Sequence, residues 1–315
     1  MLFIVGLDSM SREEKIALLA QMNCLTSLNI INEGTQKGIK TTKQKVLKGV
    51  SWITGKFSKK YGDKIERLNI QSDWDVEILR EKIAKEHQRL VKLTDAEISK
   101  YFREKLIKLA KVNKVVDDKI IANAILHRAA KSMNIDVRLY LNAEALENAI
   151  FEAAIIEQIE QLKKFLELIS AEDIEGFETK IKGELSKLSQ VEIEAIEQAM
   201  GIENLTSKAF ISFLKTTSGT AVAQIALSGF GFGIFLFLTT SIKALSLLLG
   251  ITLPFSVYTT ATTTLAFLLS APFFLIIAAV SGGLIIRFTD KKIDDHMAKL
   301  FITIGRLRLM SKREE

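Results

Sequence analysis

The chain has 315 residues, 43 Lys+Arg against 37 Asp+Glu, and a formal net charge of +6. It exceeds one typical domain, and its single cysteine, Cys24, excludes an intramolecular disulfide or any disulfide framework. Only Pro254 and Pro272 interrupt it, so helices can run long and the expected fold class is all-α.

Charge divides the chain into zones. Residues 1–140 carry 27 Lys+Arg against 17 Asp+Glu, residues 141–205 carry 5 against 15, and residues 206–315 carry 11 against 5. These zones suggest a basic N-terminal helical region at 1–140 and an acidic helical region at 141–205. An apolar helical hairpin at 206–288 and a basic amphipathic helix at 289–315 follow.

In chain order, Met1 to Gly6 is apolar, but Asp8 ends the run too early for a signal peptide, and no basic residues precede it. A cytoplasmic N-terminus is expected. Helices are predicted near 11–22, 40–60, 72–93, 95–112, 117–132, 143–169, 173–188 and 190–200. The 40–60 helix lies in a stretch, Lys37 to Lys60, with eight lysines and no acidic residue. Lys40, Lys43, Lys45, Lys48, Lys56, Lys59 and Lys60 accompany an apolar face with Trp52 nearby, a pattern that anionic lipid attracts. A solvated face packed on the acidic zone fits as well. Nucleic acid phosphate is the weakest of the three readings.

The next helix starts are marked by caps. Thr94-Asp95-Ala96-Glu97 and Ser189-Gln190-Val191-Glu192 fit the capping box, and looser versions begin at Ser72 and Ser170. Asn142 suits a plain N-cap and Gly201 a left-handed C-cap. Apolar residues recur at helical spacing: Ile78, Leu79, Ile83, Leu90 and Val91; then Ile98, Phe102, Leu106 and Leu109; then Leu146 through Leu166. Glu160 and Lys164 form an i,i+4 pair in the favourable order.

Residues 216–286 hold one charged side chain, Lys243. A crossing needs roughly 20 apolar residues, so two crossings are predicted, over Thr217–Thr240 and Thr259–Gly283, with Pro272 kinking the second. Gly219, Ala223, Ala226, Gly229 and Gly233 form a small-residue ridge that lets another helix approach closely. Basic residues at 208, 215, 287, 291 and 292 flank the segment and place both termini on the cytoplasmic side, with Lys243 opposite. A helical hairpin buried in a soluble domain until it inserts is the competing reading. After it, Ile293, Met297, Leu300, Ile304 and Leu307 form a stripe among basic residues. It suits packing on the protein's own domain or an interfacial position.

No catalytic, metal or cofactor constellation emerges. His87, His127 and His296 fit no ligand motif, and Asp294-Asp295-His296 reads as a solvated face. Glu152, Glu157 and Glu160 lack the Glu-x-x-His companions of a bundle di-metal site. Gly49 to Ser58 departs from the phosphate-loop spacing, since five residues separate its glycines and Phe57 follows Lys56. Glycines 229, 231 and 233 have no βαβ context, and Cys24 reads as a small buried residue.

Leu188 to Gly201, then Ile202-Glu203-Asn204-Leu205-Thr206, Ser228 to Gly233 and Leu249 to Phe255 resemble the YaaW-like family of bacterial proteins, grouped with ubiquinol–cytochrome c chaperones. The likeness spans roughly residues 140–285, and Leu7 to Glu14 echoes a short acidic module that often precedes it. The resemblance implies no catalytic residues; its chaperone link implies helping a membrane protein assemble. The expected function is a non-enzymatic membrane-associated helical protein that binds lipid and either a protein partner or itself. A conditional pore former is the alternative.

Overall fold

Local sequence chemistry places most helix ends. Thr94 Oγ1 accepts from the Glu97 N–H at 3.3 Å while the Glu97 carboxylate takes the Thr94 N–H at 2.7 Å, and Ser189 and Glu192 repeat the exchange. Both are complete capping boxes. Asn142 Oδ1 accepts from the Ala145 N–H at 2.8 Å, and Gly201 closes its helix at φ 67°, a conformation glycine adopts without steric cost.

The computed structural model describes residues 1–20, 22–23, 76–113, 117–168, 171–228, 231–248 and 290–311. The elements are α1 (Leu2–Asp8), α2 (12–20), α3 (Val76–Val91), α4 (Asp95–Ala110), α5 (Asp118–Ser132), a 3₁₀ turn (Val137–Leu139), α6 (Ala143–Leu168), α7 (Ala171–Leu185), α8 (Gln190–Met200), α9 (Ser207–Thr216), α10 (Gly219–Leu227), α11 (Gly231–Leu248) and α12 (Asp290–Ser311). The described residues contain no strand, so the fold is all-α. The 40–60 helix with its lysines and Trp52, Cys24, Gly229, the Ser72 and Ser170 caps and the 259–283 crossing lie outside the described residues.

α6 is central. It packs against α5, α9, α10 and α12, while α11 packs against α7, α8, α10 and α12. The predicted stripes supply much of the core: Ile98, Phe102, Leu106 and Leu109 on α4, and Leu146, Ile150, Ile159, Leu162 and Leu166 on α6. Val91 departs from its stripe and is exposed at the end of α3. Arg12 ties α2 to the α3–α4 joint, donating to the Val91 and Leu93 carbonyls and pairing with Asp95 at 2.6 Å.

The continuous helix expected over Thr217–Thr240 is instead divided between two helices. Thr217 is extended, and Ser218 starts a new helix by accepting from the Ala221 N–H at 3.1 Å. The Glu160 carboxylate takes the Gly219 N–H at 3.0 Å, and Lys163 Nζ donates to the Thr217 carbonyl at 3.3 Å. These α6 contacts satisfy backbone groups at the joint between α9 and α10. The division of the expected helix falls later, where α10 ends at Leu227 and Ser228 caps it through its N–H to the Gln224 and Ile225 carbonyls. α10 has nine residues and α11 eighteen, about 14 and 27 Å at 1.5 Å per residue. No described helix is long and apolar enough to cross a membrane.

Candidate functional site: the seam along the last helix

α12 is where the apolar segment rejoins the bundle, and its polar residues are tied to three other helices. Near its start, Arg128 of α5 donates to Asp295 Oδ1 at 2.8 Å, to Asp294 Oδ2 at 3.0 Å and to the Leu109 carbonyl at 2.9 Å. Asp294 and Asp295 are thus an arginine clamp and not the solvated face the sequence suggested. In mid-helix, Lys299 Nζ meets Glu157 of α6 at 2.8 Å. Near its end, Arg306 lies 3.8 Å from Glu147 of α6, and Arg308 lies 4.0 Å from Glu14 of α2.

Glu147 is the deepest of these groups, with its side chain fully buried. Its carboxylate accepts from the Leu2 N–H at 3.0 Å and the Phe3 N–H at 2.7 Å. Those are orphan donors at the start of α1, where Met1 offers no side-chain cap. An acid from the centre of the chain therefore caps the N-terminal helix and faces a C-terminal arginine. Desolvation pushes its carboxyl above the ordinary value, opposed by Arg306 and by the two N–H donors. Arg306 also sits over the Phe151 ring, 5.8 Å from its centroid.

Glu14 does for α2 what Glu147 does for α1. It takes the Ser11 N–H while its own N–H donates to Ser11 Oγ at 3.2 Å, a capping box in Ser11-Arg12-Glu13-Glu14 that was readable in the sequence. Against this polar edge lies an apolar one: Phe3 and Leu7 of α1 and Phe301, Ile302 and Ile304 of α12 are buried.

The small-residue ridge is distributed within the bundle. Gly219, Ala223 and Ala226 are buried on α10, which packs on α6; a Cβ on Gly219 would lie 3.0 Å from the Ile156 carbonyl oxygen. Gly233 lies instead against α8, where an added Cβ would strike the Ala195 backbone. These four residues therefore contact their own chain, on two different neighbours.

His87 on α3 is partly buried, and that burial pushes its imidazole below the ordinary value. Glu157 and Glu160 are held by Lys299 and Gly219, respectively. No group of three or more His, Cys, Asp or Glu among the described residues could hold a metal ion. The site's evident capacity is mechanical: it fixes both ends of the chain, and the return from the apolar segment, to α6. No protein-family model, curated protein or solved structure matches this chain.

Proposed function

We propose that this is a non-enzymatic, membrane-associated helical protein, its bundle and both termini cytoplasmic, whose membrane element is the apolar sequence following α11. One observation carries the reading: α11 and α12, which flank that sequence, pack against each other within one bundle. Between them, residues 251–286 contain no charged side chain. A single crossing is incompatible with two flanking helices in mutual contact. In this reading the segment enters and leaves the membrane on one side. Its 36 residues, less a turn of about four, would suffice for two helices of about 16 residues, about 24 Å each against the roughly 30 Å hydrocarbon thickness.

Alkaline carbonate extraction of the full chain and of a chain lacking residues 251–286 tests this. The full chain should stay in the pellet, and the deleted chain should be released while keeping its helical circular dichroism. Retention of both would sink the assignment of the membrane element.

A second reading, conditional insertion, draws on a separate observation: the described part of the apolar run, α10 and α11, is sheathed by amphipathic helices. It predicts a monodisperse full chain in detergent-free buffer. In the first reading, an assembly role for a membrane partner, as the YaaW-like resemblance implies, follows from a rigid bundle held at the membrane. Cross-linking in native membranes would reveal such a partner as a discrete, saturable adduct.

A further inference from the structure

The bundle has two ends, and side-chain contacts identify which one receives the chain back from the apolar segment. Phe102 of α4 meets Phe301 of α12 with ring centroids 5.9 Å apart. Further along α4, the Leu109 carbonyl shares Arg128 with Asp294 and Asp295, close to the start of α12. Moving toward the C-terminus of α4 is therefore moving toward Asp290. Arg128 also lies one turn before the end of α5, so α5 ends in the same place.

The side chains at that end are cationic. Lys108 and Lys111 are exposed on the last turn and C-cap of α4, and Lys131 is exposed on the last turn of α5. Lys105 is partly buried one turn earlier, its Nζ 5.3 Å from the Tyr101 ring centroid, and Arg89 stands 5.8 Å from the same ring. Arg89 already holds Glu86, at 2.7 Å. Lys105 makes no ion pair with a carboxylate among the described residues. Asp294 and Asp295 of α12 are taken by Arg128, and Glu104, exposed one turn before Lys108, is the acidic neighbour of the group on α4. The sequence adds Arg287, Lys291 and Lys292 on either side of Asp290.

We propose that Lys105, Lys108, Lys111 and Lys131 form a docking collar for the phosphate headgroups of an anionic bilayer, at the end of the bundle where the chain returns from its membrane element. The inference rests on the membrane reading above and names the lipid class that this reading leaves open. Charge complementarity and position together favour lipid. Lysines near an anionic surface are each attracted to it, and their attractions add along a surface they face together. Burial, and then Lys108, push the Lys105 ammonium below its ordinary value, with the Glu86 carboxylate opposing them.

The test uses the full chain and vesicles of phosphatidylcholine alone or mixed with phosphatidylglycerol. Lys105→Gln, Lys108→Gln and Lys111→Gln are combined; glutamine preserves helix propensity, and circular dichroism checks the fold. A control combines Lys180→Gln, Lys182→Gln and Lys208→Gln, three exposed lysines on α7 and α9. The native chain should prefer the phosphatidylglycerol vesicles at low salt. The collar variant should lose about fivefold per lysine, the equivalent of about 1 kcal/mol each, and the control much less. Binding of the collar variant to neutral vesicles should be unchanged. Equal losses in the two triple variants, or no preference by the native chain, would overturn the collar while leaving membrane association intact. Failure of the native chain to bind either vesicle would overturn the membrane reading itself. Competition by inorganic phosphate at constant ionic strength, weakening collar binding as strongly as added phosphatidylglycerol vesicles do, would assign the cations to a free phosphate and also overturn the lipid proposal.

Discussion

Gly6 and Gly305 face each other where α1 crosses α12. A Cβ on Gly6 would collide with the Gly305 carbonyl, and one on Gly305 would collide with the Phe3 carbonyl. Backbone lies against backbone, so no flexible side chain can yield. The first and last helices are joined by the absence of two side chains, and the buried Phe3, Leu7, Phe301 and Ile302 close around that contact.

Gly305→Ala should therefore separate α1 from α12. Overpacking of this kind costs about 1–3 kcal/mol. The measurement is the urea midpoint, with hydrogen exchange reporting on the Leu2 and Phe3 amides. An unchanged midpoint with these amides still protected would show that the crossing relaxes freely.

Glu147 gives a second prediction. Glu147→Ala leaves Arg306 buried beside two uncapped N–H groups, and breaking a buried pair from one side costs about 3–5 kcal/mol. Its pH dependence has a definite sign. Burial raises the folded-state carboxyl above its ordinary 4.5, so the folded protein holds this proton more tightly than the unfolded chain does. The associated stability is fully present below the unfolded value and is lost as pH rises through the folded one. Glu147→Gln cannot titrate, so its deficit relative to the native chain should be larger at about pH 4 than at about pH 7. The opposite trend in paired urea titrations would mean that attraction to Arg306 outweighs burial.

How much of this was legible follows from distance along the chain. The Thr94 and Ser189 capping boxes and the Gly201 cap involve neighbours three or four residues apart, so the sequence displays them directly. The Ser218 cap that starts α10 is equally local, whereas the end of α10 at Leu227 lies in an uninterrupted apolar stretch that hydropathy alone does not divide. α1 and α9 are only 7 and 10 residues long, too short for periodicity to stand out. Glu147 sits inside an apolar stripe, and no pattern tells an acid that faces solvent from one that caps a remote helix. The pairing of Gly6 with Gly305 is beyond any local reading, because each glycine alone is unremarkable in its helix. Arg128 likewise needed a fold before Asp294 and Asp295 could be seen as its partners.

Arg128 itself predicts a selective loss. Lysine keeps the charge but cannot span both aspartates and the Leu109 carbonyl with a planar fork. Arg128→Lys should lower stability by about 1.5–3 kcal/mol, the range for hydrogen bonds to charged groups. Limited proteolysis should then cut near the start of α12 before it cuts α6. A uniform cleavage pattern would argue against a local role.

Gly233 shifts where the cost of a bulky substitution is felt. A leucine there meets the Ala195 backbone on α8, so Gly233→Leu should destabilise the folded chain itself by about 2 kcal/mol or more. Carbonate-resistant membrane association should persist, because residues 251–286 are unaltered. A variant with native thermal stability but lost self-association would return Gly233 to an intermolecular ridge.

Ser241 distinguishes the two arrangements of the apolar run. With two crossings starting at Thr217, position 241 would lie on the far side of the membrane beside Lys243. In α11 it is instead fully buried, its Oγ donating to the Phe237 carbonyl at 2.8 Å. On a Cys24→Ser background, Ser241→Cys should resist an impermeant maleimide in intact cells and after gentle lysis, and react only once the protein is denatured. Lys182→Cys, on the exposed face of α7, should stay unlabelled in intact cells and react on lysis, as a cytoplasmic bundle requires. Labelling of Ser241→Cys in intact cells would put the end of α11 outside the membrane. The bundle would then have to give up α11, and the first crossing would again be Thr217–Thr240.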